Sequence, residues 1–165
     1  MNTENEILDI LDIADSIDDG SQQYLTFELD SEHYGVEILR VQEIKGWGSV
    51  TSIPNTPEHV CGVLNLRGVI VPIIDLRLLF GMPFNAYTKT TVVVVVKVEG
   101  ITDRIVGIVV DAVSDAYNVH PDMISNAPDL GSNVETSFIK GIADIDECML
   151  MLLDIDKLLS VEQIG

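Results

Sequence analysis

The chain has 165 residues, 47% of them hydrophobic, and its 27 acidic side chains against 9 Lys and Arg give a formal net charge of −18. That hydrophobic fraction supplies a packed core, and the negative excess argues against direct binding of nucleic acid or anionic lipid, whose phosphates it would repel. The longest purely apolar run, Val92–Val96, is too short to insert into a bilayer.

Residues 1–20 hold Glu4, Glu6, Asp9, Asp12, Asp15, Asp18 and Asp19 with no Lys or Arg. This acidic extension has no basic region ahead of an apolar stretch, so no secretory signal is expected. Ile7, Leu8, Leu11 and Ala14 share one helical face. A disordered or frayed tail is the first reading of it, and a docking helix the second. From residue 21 to 165 the chain reads as one folded unit. SQQYLTFELD, a turn at DSEH and YGVEI form a predicted hairpin. Ile38, Val41 and Ile44 stand at helix-like spacing, and SIPNTPEHVCG is expected to enter a short helix near Glu58–Cys61. GVLNL and VIVPIIDL are two strands joined at Arg67-Gly68, and LRLLFGMP is a short helix stopped by Gly81 and Pro83. A turn-rich boundary follows near residues 82–90. TVVVVVKV and RIVGIVVDAVSDA then repeat the strand pattern.

The repetition is internal. A shift of 72 residues pairs Gly35 with Gly107, Val41 with Val113 and Glu43 with Asp115. A shift of 79 pairs Gly62 with Gly141, Asp75 with Asp154 and Leu79 with Leu158. The difference is a seven-residue insertion, placed most simply in SNAPDLGSNVETS. Each copy supplies about five short strands, enough for a small closed barrel, and two such small units need a shared hydrophobic junction. Strands need not stay within their own copy, and an exchanged first strand leaves no mark in the sequence.

Chemistry-bearing motifs are sparse. His33, His59 and His120 lie far apart, and none has a second ligand at metal spacing. Cys61 and Cys148 match no CxxC or zinc pattern and are expected as reduced thiols in the cytosol. Asp144-Ile145-Asp146-Glu147 lacks the glycine and closing glutamate of a calcium loop and reads as a charged hairpin turn. No phosphate-binding glycine loop or nucleophile elbow occurs. The inventory favours a binding module over an enzyme.

YGVEILRVQEI, IPNTPEHVCGVLNLRGVIVPIIDLR, RIVGIVVDAVSDA and FIKGIADIDECMLMLLDIDKLL, in this order between Gln22 and Leu159, resemble the CheW family of chemotaxis coupling proteins. The resemblance implies an all-β fold with a few short helices, arranged as two five-stranded SH3-like barrels around a shared hydrophobic core. It implies a non-enzymatic adaptor, without cofactor or metal, joining the cytoplasmic tip of chemoreceptors to the regulatory domain of the histidine kinase CheA. Its place would be the cytoplasm, attached to membrane-bound receptor arrays through protein contacts. Position by position, the resemblance puts a receptor-facing groove between the barrels, at or near Val41, Gly62, Arg67, Val92 and Val113. Glu43 is expected beside them, paired with Arg67. The kinase-facing positions are Ile38 and, in the APDL loop, Leu130.

Plainer roles stand beside these. Val92 and Val113 also suit a core, Gly62 a turn, and Leu130 a loop folded back over apolar neighbours. Trp47, between Gly46 and Gly48, suits an interface or the plug of a barrel end. An adaptor of a non-flagellar pathway such as pilus motility would read alike, and a small-molecule-binding double barrel would need a pocket with converging polar groups. Arg67 aligns with Asp146 under the 79-residue shift, so the second copy folds its turn without an arginine. That points to a task for Arg67 other than holding the turn.

Overall fold

Val92–Val98 is apolar on both sides, and a strand of that kind must be buried on both faces. Val93 and Val95 pack with Leu64, Leu66, Val71, Ile73 and Val109, while Val94 and Val96 pack with Leu25, Phe27, Ile38 and Ile108. One strand therefore lines two cores.

The computed structural model describes residues 20–55, 60–82, 86–126 and 136–160. In chain order its strands are β1 (Gln22–Leu29), β2 (Glu32–Glu37), β3 (Val41–Gly46), β4 (Val60–Leu66), β5 (Val69–Asp75), β6 (Val92–Val98), β7 (Arg104–Val110), β8 (Ala112–Val119), β9 (Ile124–Ser125), β10 (Ile139–Ile145) and β11 (Cys148–Leu153). Two short helices, α1 (Leu76–Leu79) and α2 (Ile155–Leu158), follow β5 and β11. The first sheet has the order β3-β6-β7-β5-β4 and the second β8-β1-β2-β11-β10-β9. Hairpin β1–β2 thus lies in the sheet of β8 to β11, through a parallel pairing of Gly35 with Leu152. Hairpin β6–β7 lies in the sheet of β3 to β5, through Ile73 and Gly107. Under the 72- and 79-residue shifts the two strand orders coincide, with β8 and β9 together taking the place of β3 and its continuation.

Each sheet closes on itself. Beyond β3 the chain turns through Trp47–Ser49, and Thr51 exchanges two 2.8 Å backbone hydrogen bonds with Val63 of β4. Beyond β8 it turns through Pro121–Met123 into β9, which pairs with β10 at Ile142 and Ala143. One apolar cluster fills the first barrel, and a smaller one around Tyr24, Ala143, Leu150 and Leu152 fills the second. The third and largest draws on both sheets and both helices, and is the shared core.

The repeated residues now have physical causes. A Cβ on Gly107 would stand 2.5 Å from Ile73 Cδ1 and 2.8 Å from Val93 Cγ1, inside a barrel too narrow for it. Its counterpart Gly35 faces Leu152, Leu150 and Tyr24 with more room, at 3.3, 3.4 and 3.4 Å from an added Cβ. Asp75 and Asp154 each cap the helix that follows, accepting from the Arg77 amide at 3.0 Å and the Lys157 amide at 3.2 Å.

Two local expectations are corrected. The helix-like spacing of Ile38, Val41 and Ile44 gives only a 3-10 turn, Ile38–Arg40, and the rest is β3. A register shift between Val41 and Glu43 lets both Val41 and Ile44 face inward, although an odd spacing in a regular strand would separate them. At Glu58–Cys61 the described part, Val60 and Cys61, is strand rather than helix, and Glu58 and His59 lie outside the described residues. Most of the proposed insertion and the acidic extension up to residue 19 also lie outside them. Among the described residues no helix is long and apolar enough to cross a membrane.

Candidate partner-binding face

Strands β4 and β5 are joined by the two residues Arg67 and Gly68, with Leu66 opposite Val69. Their φ values are +50° and +87°, the pattern of a tight hairpin whose two central residues are both left-handed. Glycine meets that need without cost, and the Gly68 amide donates to Asn65 Oδ1 at 2.9 Å. Arginine does not, because its Cβ crowds the following carbonyl. The equivalent turn uses Asp146 and Glu147, with φ of +50° and +63°. A side chain with no local reason to be there is 78% exposed.

Arg67 is nonetheless aimed. Its Nη2 lies 3.2 Å from Oε2 of Glu43, which is only 15% exposed, so the predicted ion pair is present. Lys45 Nζ stands 2.8 Å from Oε1 of the same carboxylate. Oε2 is buried and makes no aligned hydrogen bond, so Arg67 meets it as a charge rather than as a fitted donor. Two cations about one mostly buried anion leave a locally positive face on an acidic chain. Val69 and Ile70, 52% and 60% exposed, continue the face along β5.

The other predicted positions divide. Val92 begins β6 opposite Gly46, and Val113 lies in β8 opposite Phe27; both are half-buried and pack on the shared core. Val41 and Ile38 are core residues, and the exposed side chain at that point is Leu39. Val41 is the first residue of β3 and Val113 the second of the equivalent β8, just after the chain crosses from one barrel to the other. Leu130 lies outside the described residues. Gly62 sits at the closure of the first barrel, where an added Cβ would fall on the Thr51 carbonyl oxygen. Its counterpart Gly141 would meet Ser125 O at 2.9 Å. Gly62→Ala is expected to destabilise the chain by about 1–3 kcal/mol through this overlap, which urea unfolding measures; an unchanged midpoint would mean that the closure yields freely.

A buried polar network escaped the sequence reading. Asp75 and Arg77, 0% and 1% exposed, are joined by Arg77 Nε and Nη2, which donate to Asp75 Oδ1 and Oδ2 at 3.1 and 3.0 Å. Arg77 Nη1 donates to Asp111 Oδ1 at 3.0 Å, and the Tyr87 hydroxyl donates to Asp75 Oδ2 at 3.0 Å. Burial opposes the guanidinium charge, but the Asp75 hydrogen bonds and the two carboxylates outweigh it and hold Arg77 protonated. Trp47 stacks on Tyr87 with ring centroids 3.8 Å apart and packs against the first barrel's core, so it closes that barrel's end. Burial, then the nearby Asp75 charge, pushes the Cys61 thiol up to about 12, and its Sγ donates to Ile73 O at 3.4 Å. A thiol held protonated in this way is a poor nucleophile. Among the described residues no group of three His, Cys, Asp or Glu side chains could hold a metal ion.

Comparison with known proteins agrees with this architecture. The family model described as the CheW-like domain matches residues 23–163. The chain is 47% identical over 144 residues to the chemotaxis protein CheW of Klebsiella aerogenes, covering 87% of this chain and 85% of that protein. It is 30% identical to the chemotaxis protein CheW of Bacillus subtilis, covering 86% and 88%. Among solved structures it resembles the scaffolding protein TtCheW of Thermoanaerobacter tengcongensis, with a TM-score of 0.77 at 32% identity, over 87% of this chain and 90% of that one. A matching family model over most of the length, close relatives and the double barrel together place this chain in the CheW-like family of chemotaxis scaffold proteins.

Proposed function

We propose that the chain is a non-enzymatic adaptor that binds the cytoplasmic tip of chemoreceptors and the regulatory domain of the histidine kinase CheA. The observation that carries this reading is Arg67: exposed, held in a turn conformation unfavourable to arginine, and aimed by a mostly buried carboxylate. A positive, partly apolar face of this kind suits a receptor's helical hairpin, with Arg67 supplying a directional polar contact and Val92 and Val113 an apolar floor. The kinase regulatory domain takes the surface around Ile38, where Leu39 is 73% exposed, together with Leu130. Residues 21–165 act as one unit, with the two copies meeting near residues 82–90. In the cell the chain sits on the cytoplasmic side of the membrane, held there by its partners.

Immobilised chain challenged separately with a purified receptor tip and with the kinase regulatory domain tests the proposal. Both are expected to be retained. Retention of neither would overturn it.

A further inference from the structure

Among the described residues the chain crosses between barrels twice, and a charged residue stands at each crossing. At the first, from β2 to β3, Arg40 Nη1 and Nη2 donate to Asp156 Oδ1 and Oδ2 at 2.9 and 2.8 Å. At the second, from β7 to β8, Asp111 accepts from Arg77. Asp156 and Arg77 are equivalent under the 79-residue shift, and each is the second residue of its helix. The two junctions thus share a layout, with the charges reversed.

Each junction also grips the hairpin contributed to the other barrel. Asp111 Oδ2 accepts from the Asp30 amide at 2.8 Å, in the turn between β1 and β2. Asp156 Oδ1 accepts from the Glu99 amide at 2.8 Å, just past β6, and Arg40 Nη1 donates to Lys97 O at 3.1 Å. The next residue after Arg40 is Val41, and Val113 is the second after Asp111. The junctions therefore stand at the roots of β3 and β8, the two strands that carry the groove positions Val41 and Val113. They differ in access. Arg77 is fully enclosed and its partner Asp111 is 28% exposed, whereas Arg40 and Asp156 are 18% and 32% exposed, with Glu37 and Glu99 also near Arg40. A bidentate, partly buried pair with satisfied backbone contacts fixes geometry more firmly than a loose surface pair. The Arg40 hydrogen bonds also hold the Asp156 carboxyl below the usual carboxylate range.

We propose that Arg40 and Asp156 are positioning residues for the receptor-facing groove, setting the angle between the barrels together with the Arg77–Asp111 junction. The inference rests on the receptor-binding reading above, so its test needs a readout independent of it.

The experiment is a double-mutant cycle of Arg40→Ala, Asp156→Ala and the pair together, with Arg40→Lys as the conservative variant. Two quantities are read in each folded protein: affinity for the purified receptor tip, and amide hydrogen exchange of Val41 and Val113. Each alanine variant is expected to weaken tip binding roughly tenfold and to speed exchange at both valines, with the double variant no worse than either single one. Arg40→Lys should recover part of the loss. Independent, additive effects would overturn the pairing. Faster exchange with unchanged tip affinity would make the junction structural only and overturn the positioning role. If the wild-type chain fails to bind the tip, the receptor-binding reading falls and the groove role with it, whereas non-additive exchange would still establish the junction as a coupled pair.

Discussion

Arg67→Ala is expected to weaken receptor-tip binding by roughly tenfold or more while leaving the fold almost untouched. The fold should persist because the side chain is 78% exposed, and an exposed ion pair contributes about 0–1 kcal/mol. Glu43 keeps Lys45 at 2.8 Å, so removing Arg67 does not orphan the carboxylate. Alanine at φ +50° meets the same backbone crowding as arginine, so the turn gains and loses little. Arg67→Asn separates the roles further. Asparagine tolerates the left-handed region, so this variant should be at least as stable as the wild type and still bind the tip poorly. Isothermal titration with the tip and urea unfolding of each variant check both halves. Loss of cooperative unfolding in Arg67→Ala would make Arg67 a scaffold residue.

Arg77→Met should do the opposite. It removes the partner of Asp75, which is 0% exposed, and one partner of Asp111, and replaces a charge by an apolar chain of similar reach. Breaking one side of a buried pair costs about 3–5 kcal/mol, because the remaining charge is stranded away from water. Tyr87 and the Arg77 backbone amide still donate to Asp75, which puts the expected loss toward the lower end. The double variant Asp75→Asn, Arg77→Met removes the stranded charge and should be more stable than Arg77→Met alone. Denaturant midpoints decide it. A loss below about 1 kcal/mol for Arg77→Met would mean that water reaches Asp75.

The recurring glycines and aspartates were legible in the sequence because each answers a local demand repeated in both barrels. Gly35 and Gly107 face narrow interiors, Gly62 and Gly141 sit where a barrel closes, and Asp75 and Asp154 cap helices. The pairing of Arg67 with Glu43, the acidic end of the VQE segment, was expected as well and is present at 3.2 Å. Which hairpin enters which barrel was not. Both candidate partner strands, β5 and β11, are equally apolar, and pattern alone cannot choose between them. The bulge in β3 hid its strand character, since one extra residue turns a two-residue period into a helix-like spacing. The buried network stayed hidden because Trp47, Asp75, Tyr87 and Asp111 come from four separate stretches. The same holds at the first crossing, where Arg40 and Asp156 are 116 residues apart.

In the proposed function one chain joins two partners through separate faces. Sedimentation of the chain with the receptor tip and the kinase regulatory domain, singly and together, measures this directly. A complex containing all three components is expected, with tip binding alone weakened in Arg67→Ala. Mutual displacement of tip and kinase domain, or sedimentation of all three as free species, would contradict it.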